Sequence, residues 1–101
     1  MTKSELVEAI TEKQSHLSHH DVEQVVKCMV NNMTAALASG RRVEVRGFGS
    51  FFLRERLPLM GRNPRTGEPV ALPKRYAVRF KAGLDLAQRV RDSASKYRIS
   101  E

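Results

Sequence analysis

The hydrophobic pattern of this chain changes its period at Gly40, and that change limits the fold more than any other sequence feature. Before Gly40, apolar residues recur at the three- and four-residue spacing of amphipathic helices. After it, residues 42–46 alternate between polar and apolar, which is typical of a half-buried strand. The chain is therefore predicted to be an α+β protein, with helices first and an antiparallel sheet after them.

The first forty residues predict a hairpin of two helices. Thr2 is a candidate N-cap for a first helix that ends near residues 14–15, and Ser18 is a candidate N-cap for the second. The second helix carries apolar residues over a broad arc that includes Val25 and Met29. Because so small a chain buries little surface alone, we expect an obligate dimer in which folding and association are coupled.

The rest of the chain predicts three strands, a β-ribbon arm and a short last helix, whose Leu86, Ala87 and Val90 are expected to face inward. We expect one domain over residues 1–94, followed by a C-terminal tail at 95–101. The predicted ranges are 42–46, 50–57 and 76–80 for the strands, the last of them a core strand, about 55–73 for the arm, and 84–95 for the helix.

Residues 61–67, at the tip of the arm, combine turn-forming residues with two arginines. Gly61 and Gly67 can adopt the positive φ values of tight turns, Asn63 tolerates them, and Pro64 has a fixed φ that suits a turn. Taken alone, this segment fits two structures equally well. It is either a solvated surface turn or a hairpin tip that reaches into a DNA groove, with the proline as an apolar wedge.

Positive charge is concentrated in the segment that contains the arm. The chain has a net charge of +7, and residues 41–81 hold eleven basic and three acidic residues, which is a net +8. An excess of this size predicts a polyanionic partner, and nucleic acid is the partner we favour. The same excess leaves an RNA-binding or ribosome-associated protein open as an alternative.

Cysteine usage and hydropathy predict a protein of the cytoplasm or nucleoid. Cys28 is the one cysteine, so no intramolecular disulfide forms, which is typical of a reducing compartment. The sequence lacks a run of about 18 apolar residues, the length that spans a membrane, and it lacks the apolar core of a signal peptide near the N-terminus.

The sequence does not predict an enzyme, a cofactor or a bound metal. It offers no set of acid, base and nucleophile that a fold would bring together. His16, His19 and His20 cluster near Asp21, but their position at a helix start favours exposed side chains over metal ligands.

Three motifs together resemble the bacterial HU/integration host factor family of DNA-bending proteins. These motifs occur in the family's order and spacing, and the resemblance extends from residue 1 to about residue 92. The opening residues and the stretch 42–47 further resemble the β-type branch of integration host factor rather than HU. The motifs are Gly47-Phe48-Gly49-Ser50-Phe51, Gly61-Arg62-Asn63-Pro64-Arg65-Thr66-Gly67 and Phe80-Lys81-Ala82-Gly83.

The resemblance implies an intertwined dimer whose two β-ribbon arms wrap double-stranded DNA through the minor groove and bend it sharply. Such a protein supports recombination, transcription and translation control, and nucleoid organisation. The β-type resemblance implies a heterodimer with an α-type subunit, and a homodimer stays possible. The alternative within the family is an HU-like homodimer with little sequence specificity.

The resemblance also implies roles for individual residues. Pro64 would insert between base pairs, Arg62 and Asn63 would face the minor-groove floor, and Arg65 would face the phosphates. Arg46 would reach bases near the base of the arm. Further contacts are implied for Arg42 and Glu44, which would hold Arg46, and for Lys3, Ser4, Lys27, Arg79 and Lys81, which would bind phosphates.

The chain departs from the family pattern at a few positions near the expected DNA surface. Leu59 and Met60 stand where the arm usually carries an arginine and a threonine. Leu84 stands where a lysine often follows the glycine. We expect these changes to weaken the phosphate contacts without changing the fold. Val78 and Ala82 replace two usual prolines.

Overall fold

The computed structural model describes residues 1–56, 60–71 and 75–100, and the chain divides into two compact units, Met1–Ser39 and Gly40–Glu101. The first unit is helical, and the second holds the strands and the last helix. The described elements are, in chain order, α1 (Lys3–Lys13), α2 (His19–Ala38), β1 (Val43–Val45), β2 (Gly49–Arg56), β3 (Met60–Arg62), β4 (Pro69–Ala71), β5 (Arg75–Ala82) and α3 (Leu84–Ser93).

The two helices of the first unit begin at the predicted caps. The Thr2 hydroxyl accepts a hydrogen bond from the backbone N–H of Glu5 at 3.2 Å, and the Ser18 hydroxyl accepts one from Asp21 at 3.1 Å. Each cap satisfies one of the N–H groups that a helix start leaves without an intrahelical partner. Gly40 follows the end of α2 with φ +84°, a left-handed conformation that favours glycine.

The core of the helical unit is small. Among the described residues, the buried apolar side chains are Val7 from α1 and Val22 and Val26 from α2, with Ile10 packed against them. Their three- and four-residue spacing places one stripe of each helix in the contact. The broad apolar arc predicted for α2 is present, and part of it is uncovered, since Val25 is 56% exposed and Met29 is 61% exposed.

The second unit contains the predicted three-stranded antiparallel sheet, with strand order β1-β2-β5. A turn at Arg46–Phe48 joins β1 to β2; Gly47 has φ +84°, and the Phe48 N–H donates to the Val45 carbonyl at 2.9 Å. The central strand β2 pairs along its whole length with β5, from Gly49 opposite Ala82 to Arg56 opposite Arg75.

The register gives the sheet two chemically different faces, because directly paired residues of an antiparallel sheet point to the same side. One face, here called the cationic face, carries seven basic residues and one acidic residue. The other, here called the apolar face, consists of Val43, Val45, Phe51, Leu53, Tyr76, Val78 and Phe80, with Glu55. The strand residues of the cationic face are Glu44, Arg54, Arg56, Arg75, Arg79 and Lys81, with Ser50, Phe52 and Ala77 between them. Arg42 and Arg46, which flank β1, belong to the same face because Arg42 approaches the Phe52 ring and Arg46 lines a concavity with Glu44 and Lys81.

The prediction that residues 76–80 form a core strand is half right. The strand exists, but β5 lies at the edge of the sheet, and Val78 is 54% and Tyr76 61% exposed. Helix α3 likewise has no buried residue: Leu86 and Ala87 are half-buried and Val90 is exposed. The reason is the same in both elements, since neither apolar surface is fully covered in the single chain.

Candidate nucleic-acid interface

The predicted arm tip is a six-residue loop, residues 63–68, between two short antiparallel strands. In β3 and β4, Arg62 pairs with Pro69, and beyond them the Asn63 N–H donates to the Glu68 carbonyl at 2.8 Å. The loop closes because the Gly67 N–H donates to the Asn63 carbonyl at 2.8 Å and Gly67 takes φ +73°. Gly61, by contrast, lies in β3 and does not use the positive φ that glycine can adopt.

Asn63 has a structural role in this loop. Its side-chain Oδ1 accepts a hydrogen bond from the backbone N–H of Arg65 at 2.9 Å, an Asx turn that fixes the chain on both sides of Pro64. The Thr66 hydroxyl accepts from the Glu68 N–H at 3.3 Å. Arg62, Pro64 and Arg65 are exposed, and Asn63 is half-buried. The loop therefore presents a proline between two arginines at its end.

Arg42, Glu44 and Arg46, which the resemblance implied as one group, come together on the cationic face with Lys81, which was implied as a separate phosphate contact. They line one concavity of about 330 Å³ with the backbone of the turn at Gly47. Glu44, Ser50 and Lys81 form one row across the three strands. Among the described residues, no ion pair joins Glu44 to Arg42 or Arg46. The predicted support of Arg46 by its two neighbours therefore stays a prediction.

Arg42 contacts an aromatic ring instead. Its guanidinium carbon lies 5.8 Å from the centroid of the Phe52 ring, and the guanidinium carbon of Arg54 lies at the same distance. Arg79 is directly opposite Phe52 on β5. Both distances are within the range of cation–π attraction.

Lys3, Ser4 and Lys27 come together in the helical unit. They line an open concavity of about 310 Å³, whose other lining residues include His19 and Glu23. The Nδ1 atom of His19 lies 3.8 Å from Oε2 of Glu23. Lys3 and Ser4 begin α1, where backbone N–H groups and the helix dipole favour an anion. The group thus has the composition of a phosphate site.

Sequence reasoning missed three basic residues of the cationic face: Arg54, Arg56 and Arg75. Arg56 and Arg75 are paired across β2 and β5, and both are exposed. The signal was present as alternation along β2, where residues 50, 52, 54 and 56 share a side. Only the register with β5 shows that these arginines share it with Arg79 and Lys81.

Some predicted features lie elsewhere. The departure at Leu59 lies outside the described residues, as does the side chain of Met60. Leu84 is 84% exposed at the start of α3. The three histidines are exposed, as predicted. Within the described ranges, no group of histidine, cysteine and acidic residues is arranged to hold a metal ion, and no helix is both long and apolar enough to cross a membrane.

Sequence comparisons identify relatives of known type. Residues 1–91 match the family described as "Bacterial DNA-binding protein". The integration host factor subunit beta of Halorhodospira halophila is 59% identical over 93 residues, which are 92% of this chain and 91% of that protein. The subunit beta of Marinobacter nauticus is 51% identical over 96 residues, 95% of this chain and 98% of that protein.

Structural comparison leads to the same group of proteins. An HU protein of Anabaena, in a cocrystal structure with DNA, superposes with a TM-score of 0.77 at 37% identity, covering 89% of this chain and 97% of that one. An HU variant from Thermotoga maritima superposes with a TM-score of 0.64 at 27% identity, covering 89% and 99%. With the antiparallel sheet, the ribbon and the helical pair in place, the chain belongs to the bacterial DNA-binding protein family of HU and integration host factor, and it resembles the β subunits of the latter.

Proposed function

We propose that this chain is a β-type integration host factor subunit, an architectural protein that binds the minor groove of duplex DNA and bends it. The observation that carries the proposal is the ribbon tip, where a hydrogen-bonded loop holds an exposed Pro64 between two arginines. The names of its relatives and the DNA complex of its structural neighbour support the same function.

Pro64 is the wedge that bends the DNA in this proposal. Its ring is rigid and apolar and lacks a backbone N–H, so it suits insertion between base pairs. Unstacking one base step costs a few kcal/mol, and the cost is offset when the bent duplex meets more cationic protein surface. Residues 41–81, with a net charge of +8, supply that surface.

The residues beside Pro64 contact the bases and the phosphates of the minor groove. Arg62 and Asn63 face its floor, where bases present acceptors, and Arg65 faces the phosphate walls. Since the Oδ1 atom of Asn63 holds the loop, its Nδ2 group is the donor for the bases. Arg46 reaches the groove from the base of the sheet, held by Glu44 and Arg42 once DNA is bound.

The body of the protein binds the flanking phosphates. Lys3, Ser4 and Lys27 form one anchor at the start of α1, and Arg79 and Lys81 form another on the cationic face. Each contact neutralises phosphate charge and releases counterions, so the affinity falls steeply as salt rises.

The proposed assembly is a dimer, because each protomer has one arm and wrapping needs two. The similarity to integration host factor β subunits favours an α-type subunit as the partner. A homodimer is the second possible assembly. The protein acts in the bacterial cytoplasm at the nucleoid, where DNA bending supports recombination and gene control. It has no catalytic activity in this proposal. Residues 1–94 are the DNA-binding domain, and residues 95–101 are a tail.

A bending assay tests the function directly. The assembled protein is added to a duplex with donor and acceptor dyes at its ends, and energy transfer is measured at saturation. Wild-type protein should bring the ends together. Pro64→Ala should reduce bending more than affinity, since it removes the wedge and no charge. Pro69→Ala, on β4 of the same arm, is the matched control and should bend like wild type.

Two results would contradict this proposal. Unchanged end-to-end distance at saturation would exclude bending, and equal loss of bending and affinity in Pro64→Ala would exclude the wedge. Competition with unrelated duplexes separates the alternatives within the family, because an HU-like protein discriminates little among sequences. Comparison with A-form RNA at equal salt tests the RNA-binding alternative, since the groove widths differ.

A further inference from the structure

The aromatic ring of Phe52 lies among arginines on the cationic face, and none of the proposed DNA contacts uses it. It is in β2, two residues before Arg54 on the same side of the strand and opposite Arg79 on β5. Arg42, which directly precedes β1, approaches the Phe52 ring from the opposite side of β2. The guanidinium carbons of Arg42 and Arg54 both lie 5.8 Å from its ring centroid.

Within the described part of the chain, neither guanidinium has a carboxylate partner that would hold it, since no ion pair involves Arg42 or Arg54. Long arginine side chains on an exposed surface lose rotamer freedom when a ligand orders them, and this loss weakens binding. Two guanidiniums that each lie 5.8 Å from one ring centroid also repel one another. A group that attracts both without neutralising either would reduce the first cost and offset part of the second.

The ring of Phe52 has these properties. Its face carries partial negative charge, which attracts a guanidinium within about 6 Å, while the guanidinium keeps its full charge and its N–H donors. Phe52 is itself half-buried in the central strand, so its ring is ordered by the sheet. A carboxylate at this place would also order the arginines, but it would repel DNA phosphates.

We propose that Phe52 is a positioning residue, which orders Arg42 and Arg54 over its ring. Both guanidiniums are then already in position when they contact the DNA backbone. This inference rests on the proposed function, since the ligand of the two arginines is the phosphate backbone of duplex DNA. It assigns Arg42 a phosphate contact in place of the support of Arg46 proposed above, which leaves Glu44 as the support of Arg46. Phe52 contributes by pre-organising cations and not by contacting a base.

The test measures the affinity of the assembled full-length protein for duplex DNA by fluorescence anisotropy at several salt concentrations. Phe52→Leu and Phe52→Met remove the ring and keep an apolar side chain. We expect each to weaken binding by about 3- to 20-fold, because one or both arginines must then be ordered at the moment of binding. Phe52→Tyr keeps the ring and should bind like wild type.

A double-mutant cycle separates positioning from a general structural effect. In an Arg42→Ala/Arg54→Ala background, Phe52→Leu should cause no further loss, because the ring has nothing left to position. The slope of log affinity against log salt should stay unchanged in Phe52→Leu alone, because the same cations reach the phosphates. Phe48→Leu is the matched control and should act additively with the arginine changes, since the Phe48 ring contacts Phe80.

Several outcomes would overturn the inference. Wild-type affinity in both ring-less variants would exclude a role for the ring, and additive losses in the cycle would show that Phe52 acts independently of the arginines. Equal weakening in Phe52→Tyr would assign the effect to packing. If wild-type protein fails to bind duplex DNA, the proposed function itself is wrong, and this inference falls with it.

Discussion

At the scale of single residues, two neighbouring glycines are required for different physical reasons. A Cβ atom at Gly49 would lie 2.6 Å from the Lys81 carbonyl oxygen and 2.5 Å from Cζ of Phe80, so β5 leaves no room for it. A Cβ at Gly47 would meet nothing within 4 Å, but φ there is +84°. Gly49 is needed for space and Gly47 for backbone conformation.

We predict that Gly49→Ala destabilises the protein by about 2–3 kcal/mol, because β2 and β5 must separate to admit the methyl group. Gly47→Ala should cost about 1–2 kcal/mol, the strain of a left-handed L-residue. Gly47→Asn should recover part of that loss, since asparagine tolerates positive φ. Urea unfolding at a fixed protein concentration measures all three; equal costs for Gly49→Ala and Gly47→Ala would contradict the distinction.

At the scale of elements, the capping residues and the spacing of apolar residues were enough to predict where the helices lie in the sequence. Both predicted N-caps, Thr2 and Ser18, are made in the structure, and α2 ends before Gly40 as expected. Helix α3 begins at Leu84 as predicted, although its N-cap Gly83 makes no side-chain hydrogen bond, and it ends at Ser93, two residues before the predicted limit. Local signals therefore located the start of each helix, and the end of α3 less closely, because helix ends fray.

Ser18 makes the cap with the larger expected effect on stability. It begins the helix that supplies Val22 and Val26 to the core, so fraying there reaches the buried contact. We predict that Ser18→Ala lowers the free energy of unfolding by about 1 kcal/mol, while Ser18→Asp, which keeps an acceptor, stays near wild type. Thermal unfolding by circular dichroism at one protein concentration measures the change; an equal loss in both variants would contradict the capping explanation.

At the scale of the whole molecule, the described part of the chain buries too little to explain an independent fold. Its buried apolar residues are Val7, Val22 and Val26, all in the helical unit. An apolar cleft of about 240 Å³ on that unit, which includes Val25 and Met29, is open in the single chain. The exposed apolar face of the sheet adds to this surface. The second subunit that we propose would cover both surfaces.

We predict that Met29→Lys disrupts subunit association, because a charge would be buried without a partner. Gln24→Lys is the matched control, since Gln24 is on the same helix but lines a different, polar concavity with Lys27 and Asn31. Sedimentation velocity should show wild-type and Gln24→Lys protein as dimers and Met29→Lys protein as monomer. A dimeric, equally stable Met29→Lys protein would contradict the proposed interface.

The choice of partner is a separate prediction at this scale. We expect the purified chain, mixed with an α-type subunit, to form a heterodimer in preference to a homodimer. Native mass spectrometry of the chain alone and of the mixture distinguishes the masses directly. A homodimer that persists in the mixture would favour the HU-like assembly.

The sequence by itself determined which elements form and what the tip of the arm is made of, because caps, glycines and hydrophobic period act over a few residues. It also contained the net +8 of residues 41–81. Only the tertiary structure decided which of those charges share a surface. The register of β2 with β5 joins Arg54, Arg56 and Arg75 to Arg79 and Lys81, and it places Phe52 among the arginines. Pairing between strands distant in sequence depends on the whole sheet, so no local pattern specifies it.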